Sequence, residues 1–257
     1  MVRKAIQRLY LSTLKNKIIP RLIRFSFSLK KVLYFHRELS AVAVIIMLLV
    51  AGCRPTPAIR ELVQGGDTLI ITPGDIPDKL TAKLSASFFA VYPQYRKHFN
   101  KQAPQKVYVN VSTAGSQHPR GASANNSIHL YLANMEEDYG PVLETFCHEL
   151  VHPLQRYPGT VDRWIKEGMA DYANYKYGVI TDAWRTDSFA NTPRPGILWS
   201  SGYQHTAKFF MWLDAIYPHF TLNLNEACLS GNYQDTSYFS VHAGRSLPEL
   251  WDDYVAP

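Results

Sequence analysis

Two histidines four residues apart, in His148-Glu149-Leu150-Val151-His152, constrain this chain more than any other feature. On a helix, residues four apart lie on one face, so both rings can point a nitrogen at one metal ion. Glu149 sits beside that face, where it can hold a water without ligating the ion. A catalytic zinc takes three protein ligands and keeps one position open, and two histidines with a glutamate are a standard set. Fifteen positions beyond His152, Glu167-Gly168-Met169-Ala170-Asp171 offers carboxylates from what reads as a second helix.

The flanks support both helices. Val142, Leu143, Phe146, Leu150 and Val151 recur at helical spacing, which places the motif on a buried helix. Glu144, near the start, suits the positive end of the helix dipole. Pro153 lacks an N–H and disfavours helical geometry at His152, so the helix should end or kink there, leaving His152 near its last turn. In the second helix, read over Trp164–Tyr172, Gly168 and Ala170 permit close backbone approach. Glu167 and Asp171 are four apart and share a face. One can ligate zinc while the other accepts a hydrogen bond from the far N–H of a ligand histidine.

These residues resemble the gluzincin metallopeptidases, whose hallmark is HExxH followed by a glutamate ligand in a sequence like E-G-x-A-(D/E)-Y. Within that group the chain is similar to the basic secretory protein family of plant and bacterial peptidases. The likeness runs from about Asp67 to Tyr254. It takes in Gly121-Ala122, Ile128-His129-Leu130-Tyr131-Leu132, Gln155, the stretch from Gly202 to Phe210, Gly244-Arg245-Ser246, and the stretch from Leu250 to Tyr254. The resemblance implies an α+β, zincin-like domain: a small mixed sheet with an edge strand over the HExxH helix, then a mainly helical C-terminal part. It implies Zn2+ held by His148, His152 and Glu167, with Asp171 bonding a ligand histidine. Peptide bonds would be cleaved by a zinc-activated water, with Glu149 as general base.

A hydrogen-bond donor must also face the developing oxyanion. Tyr203 and His205 are the two candidates, because both stand near the start of a helix expected to pack against the site; Tyr203 is the one carried forward as catalytic. The competing reading is a membrane-anchored binding protein that holds zinc without useful peptidase activity. Glu149 argues against it, since a pure metal site would not require that residue.

The net charge of +6 misleads about partners. Residues 1–52 carry a net +9, and the rest of the chain carries −3. Without the leader no basic footprint for nucleic acid remains. The leader reads as a bacterial lipoprotein signal peptide: a basic stretch, an apolar run from Leu39 to Val50, then Val50-Ala51-Gly52-Cys53. Cys53 would be lipidated and hold the protein in the cell envelope, with a peptide or protein as substrate and a monomer expected. Envelope compartments permit disulfides, yet Cys147 reads as a small buried hydrophobe sooner than as a partner of Cys228.

The remaining 205 residues suit one domain. Residues 53–66 read as a tether and 67–257 as the catalytic domain. Strands are expected at Thr68–Thr72, Val107–Val111 and Ser127–Leu132, the last as the sheet edge that in gluzincins pairs with extended substrate. Helices are expected at Leu80–Tyr92, Thr206–Tyr217, Leu222–Leu229 and Leu247–Tyr254. Thr181–Leu198, with two prolines and no period, reads as a loop rimming the cleft. The tyrosines and tryptophans read as core and rim.

Overall fold

The computed structural model describes residues 58–73, 76–112, 121–132, 139–179 and 196–256, all within the unit Pro57–Pro257. The leader, Cys53 and most of the expected Thr181–Leu198 loop lie outside the described residues. Among the described residues, five strands form one mixed sheet: β1 (Arg60–Gln64), β2 (Asp67–Thr72), β3 (Lys106–Ser112), β4 (Gly121–Ala124) and β5 (Ser127–Tyr131), in spatial order β1-β2-β3-β5-β4. The inner three strands are parallel; β1 and β4 run antiparallel to their neighbours.

Period-two alternation gives this sheet one apolar face. Leu69 and Ile71 of β2 lie in register with Val107 and Val109 of β3, and Val109 and Val111 with Ile128 and Leu130 of β5. All seven side chains are buried. Helix α1 (Asp78–His98) crosses between the parallel strands β2 and β3 and buries Leu80, Leu84, Phe88, Val91 and Tyr95 at helical spacing. Pro93 does not end it. The ring lies on the exposed face, where water can meet the carbonyl it releases. Arg96, near the helix end, reaches the buried Asp67 carboxylate at 2.6 Å and ties α1 to the start of β2.

Two strands depart from expectation. Arg60–Gln64, read above as tether, pairs antiparallel with β2 and closes one side of the sheet. On the other side the edge strand is β4, while the expected edge, β5, is enclosed between β3 and β4. The physical reason is the turn at Asn125 and Asn126. Asn125 takes a left-handed φ of 55°, and the chain folds straight back on itself.

The other described elements are helical, so the architecture is α+β. Helix α2 spans Gly140–Glu149, α3 Arg163–Tyr177, α4 Tyr203–Ile216, α5 Phe220–Ser230, α6 Ser237–Ala243 and α7 Leu247–Val255. In α2, Val142 and Phe146 face the core, each contributing about 1.5–3 kcal/mol on burial. Helices α3 and α4 pack against each other, with Gly168 set against Thr206. The aromatic residues are core and rim as expected: Phe209, Trp251 and Tyr254 interlock between α4 and α7. Helix α7 begins with a capping box, Ser246 N–H donating to Glu249 Oε2 at 2.8 Å. Among the described residues no helix is long and apolar enough to cross a membrane.

A Cβ at position 168 would stand 2.2 Å from Thr206 Cγ2 and 2.5 Å from Thr206 Cβ. Gly168→Ala should therefore lower stability by about 1–3 kcal/mol in denaturant titration, and adding Thr206→Ala should not restore it, because the Cβ clash remains. Gly159→Ala, which meets nothing within 4 Å, serves as the near-neutral control.

Candidate metal centre

Helix α2 presents Thr145, His148 and Glu149 to a cleft of about 570 Å³, while Val142, Phe146 and Cys147 are buried in the core. The α-helical ladder stops early. Leu150 N–H still bonds the Phe146 carbonyl, but Val151 N–H bonds His148, only three residues back. Helix α2 thus ends at Glu149, and His152 belongs to a separate 3-10 turn, His152–Leu154. Pro153 accounts for the break as expected; the break comes before His152, because Val151, Pro153 and Leu154 are buried and draw the chain inward. The two rings still meet, with centroids 5.1 Å apart.

Helix α3 supplies the carboxylates. Glu167 Oε2 lies 3.3 Å from His148 Nε2 and 3.7 Å from His152 Nε2. Asp171 Oδ1 lies 2.5 Å from His148 Nδ1, on the opposite edge of the same ring. Of the two carboxylates, Glu167 is therefore the one beside both imidazoles. One ligand atom from each of His148, His152 and Glu167 falls within 4.8 Å of the others. Tetrahedral donors about 2 Å from one centre lie roughly 3.4 Å apart, so this donor set fits zinc with little adjustment.

Charge in the cluster is finely shared. Burial acts to lower the His148 pKa, but the hydrogen bonds with Asp171 and Glu167 outweigh it and push it up to about 10. Burial, then the neighbouring His148 charge, holds His152 below the usual imidazole range. Burial acts to raise the Glu167 pKa; His148, His152 and Arg163 outweigh it and hold the carboxyl below the usual range. Burial pushes Glu149 up to about 7, opposed by His148 and reinforced by Glu167 and Asp171. Glu149 Oε2 is buried without a hydrogen-bond partner, 3.9 Å from His152 Nε2. A divalent ion with its water would meet that orphaned oxygen.

Three residues not singled out above as site residues shape the cleft. Gly121 on β4 lets the edge strand lie against α2: a Cβ there would stand 2.6 Å from Thr145 Cγ2 and 2.8 Å from Glu149 Cγ. Arg163, at the start of α3, donates to Glu167 Oε1 at 3.4 Å and to the Tyr203 hydroxyl at 3.1 Å. Gln155 meets His152 Nδ1 at 2.9 Å. Only a glycine before the β5 strand, and residues adjacent to known motifs, could have signalled them. Tyr203 lines the cleft with its ring 6.0 Å from that of His148, whereas His205 is not among the described residues lining it. Cys147 and Cys228 are both buried as free thiols, and burial pushes each up to about 12.

The sequence profile of the BSP family, peptidases of plants and bacteria, matches residues 112–254, more than half of the chain. The chain belongs to this peptidase family. The match covers every cleft residue described above. A comparison with curated protein sequences finds no match. Among solved structures, an M1 zinc metallopeptidase from Deinococcus radiodurans is similar at 15% identity and a TM-score of 0.48, over 77% of this chain and 50% of that one. An aminopeptidase N family protein from Idiomarina loihiensis is similar at 20% identity and a TM-score of 0.34, over 49% of this chain and 26% of that one. The chain thus spans half or less of these larger proteins. At such low similarity neither likeness bears on the chemistry, which is argued from the site's own residues and the BSP match.

Proposed function

We propose that this BSP-family chain is a zinc-dependent peptidase of the gluzincin type, with His148, His152 and Glu167 holding the ion and Glu149 as general base. The observation that carries the proposal is the donor cluster itself: two imidazoles and one carboxylate converge in a cleft beside a buried, unpartnered carboxylate oxygen. Zinc when bound supplies a Lewis acid that polarises the scissile carbonyl and makes water more acidic. The remaining work falls to side chains of this chain. Glu149, with one carboxylate oxygen buried and unpartnered beside His152, is suited to take a proton from the attacking water and pass it to the leaving amine. Tyr203 accepts its hydrogen bond from Arg163, which leaves the phenol proton free to face an oxyanion. Asp171 orients His148 through Nδ1 and leaves Nε2 toward Glu167. The edge strand β4 runs beside Glu149, where an extended peptide can pair with it.

Export and lipid anchoring at Cys53 belong to the same proposal. They are supported by the basic leader, the short apolar run and the small residues before the cysteine. Two or more acyl chains would anchor the protein stably, while one would not.

Three outcomes follow. Glu149→Gln should keep about one zinc per chain and lose hydrolysis of casein or a peptide by about 10²–10⁴-fold; undiminished turnover would assign the base elsewhere. Glu167→Gln should abolish tight zinc binding, whereas Asp171→Asn should weaken it by about ten- to a hundredfold. If the aspartate variant proves the emptier of the two in metal analysis, the ligand and its neighbour are exchanged. Cys53→Ser should block processing and release of the leader and remove lipid labelling in cells; a variant processed and membrane-associated like the wild type would contradict the anchor.

A further inference from the structure

Gln155 follows the turn that carries His152 and makes two hydrogen bonds, one with each end of its amide. Its Nε2 donates to the Lys166 carbonyl at 2.7 Å, and its Oε1 faces His152 Nδ1 at 2.9 Å. The first bond decides the second. Only the NH2 end of an amide can donate to a carbonyl, so the Lys166 contact fixes which way the Gln155 amide points. The end left for His152 is the oxygen, which only accepts. His152 must then carry a proton on Nδ1. In the neutral ring this leaves the lone pair on Nε2, the nitrogen 3.7 Å from Glu167 Oε2.

The same side chain joins two parts of the site that no helix joins. His152 sits beyond the end of α2, in a three-residue turn, so α2 does not hold it as it holds His148. Lys166, the residue whose carbonyl Gln155 grips, immediately precedes Glu167 on α3. A shift of the turn relative to α3 would therefore strain one amide that is bonded at both ends. The two histidines are also held by different chemistry: His148 by the Asp171 carboxylate at 2.5 Å, His152 by a neutral amide.

We infer that Gln155 is a positioning residue that sets the tautomer of His152 and couples the His152 turn to the helix bearing Glu167. Its consequence for metal affinity rests on the zinc reading above; its consequence for the tautomer does not. Gln155→Leu removes both bonds. Gln155→Glu keeps an acceptor for His152 and removes the donor to Lys166, so the pair separates the two halves of the role.

The test is ¹⁵N-histidine NMR of the full-length chain in EDTA, with zinc competition titrations, on wild type, Gln155→Glu and Gln155→Leu. Wild type should show His152 protonated on Nδ1 and not on Nε2. Gln155→Leu should lose that preference and bind zinc about ten- to a hundredfold more weakly, while Gln155→Glu should keep the Nδ1–H form and lose less than about tenfold. A wild-type His152 protonated on Nε2 alone would overturn the inference. So would a folded Gln155→Leu that keeps both the Nδ1–H form and wild-type affinity, or a Gln155→Glu that loses the tautomer as fully as the leucine variant. If Gln155→Leu does not fold, Gln155→Glu and wild type still decide the tautomer. A wild type that binds no zinc would sink the zinc reading and leave the NMR result to judge Gln155 by itself.

Discussion

The His148 ring is gripped from both edges by one helix. Asp171 Oδ1 stands 2.5 Å from Nδ1 and Glu167 Oε2 stands 3.3 Å from Nε2. Two carboxylates can do this because they are one helical turn apart on α3 and the imidazole is set between them. The contact fixes how α2 and α3 lie against each other, and the rest of the cleft is arranged around it. Removing either carboxylate would leave a buried imidazole with one edge unpaired, which is costly in a low-dielectric setting. The geometry also separates the two roles that the i, i+4 spacing by itself leaves interchangeable. The carboxylate on the Nδ1 side orients the ring, and the one on the Nε2 side stands next to His152 as well.

The sheet contributes by placement. Its apolar face packs α1 and α2, and its last strand, β4, brings backbone to within contact of Glu149 at Gly121. Any larger residue at Gly121 would press on the Glu149 side chain, so the edge strand and the proposed base are set by the same close approach. From the other side, α4 is drawn onto α3 at Gly168, and this carries Tyr203 over the His148 ring. Gly121 thus lines the cleft, while Gly168 lies behind it in the α3–α4 contact.

What could be read in the sequence follows how strongly burial writes a period. Strands β3 and β5 alternate buried and more exposed residues, β2 is a short continuous apolar run, and α2 and α3 carry apolar residues at helical spacing, so these are legible. β1 is not: Arg60-Glu61-Leu62-Val63-Gln64 is largely exposed, and a strand at a sheet border need bury little. β4 was hidden for another reason. Gly121-Ala122-Ser123-Ala124 has none of the β-branched or aromatic residues that mark strands, because its task is to lie close to α2. Pro153 told that the helix must break, but its position before His152 is set by Val151 and Leu154 entering the core. Gln155 stands out in the sequence only through the family resemblance and its place near the motif, since one of its two partners is a backbone carbonyl eleven residues away. Tyr203 could be placed at the cleft from its position at a helix start, whereas its bond to Arg163, forty residues off, could not.

The central claim is that His148, His152 and Glu167 share one zinc ion, and anomalous diffraction at the zinc edge from crystals of the purified protein tests it most directly. The account predicts a single strong peak about 2 Å from His148 Nε2, His152 Nε2 and a Glu167 carboxylate oxygen, with Asp171 bonded to His148 and off the metal. No peak in zinc-loaded crystals, or a peak ligated by Asp171 in place of Glu167, would contradict it.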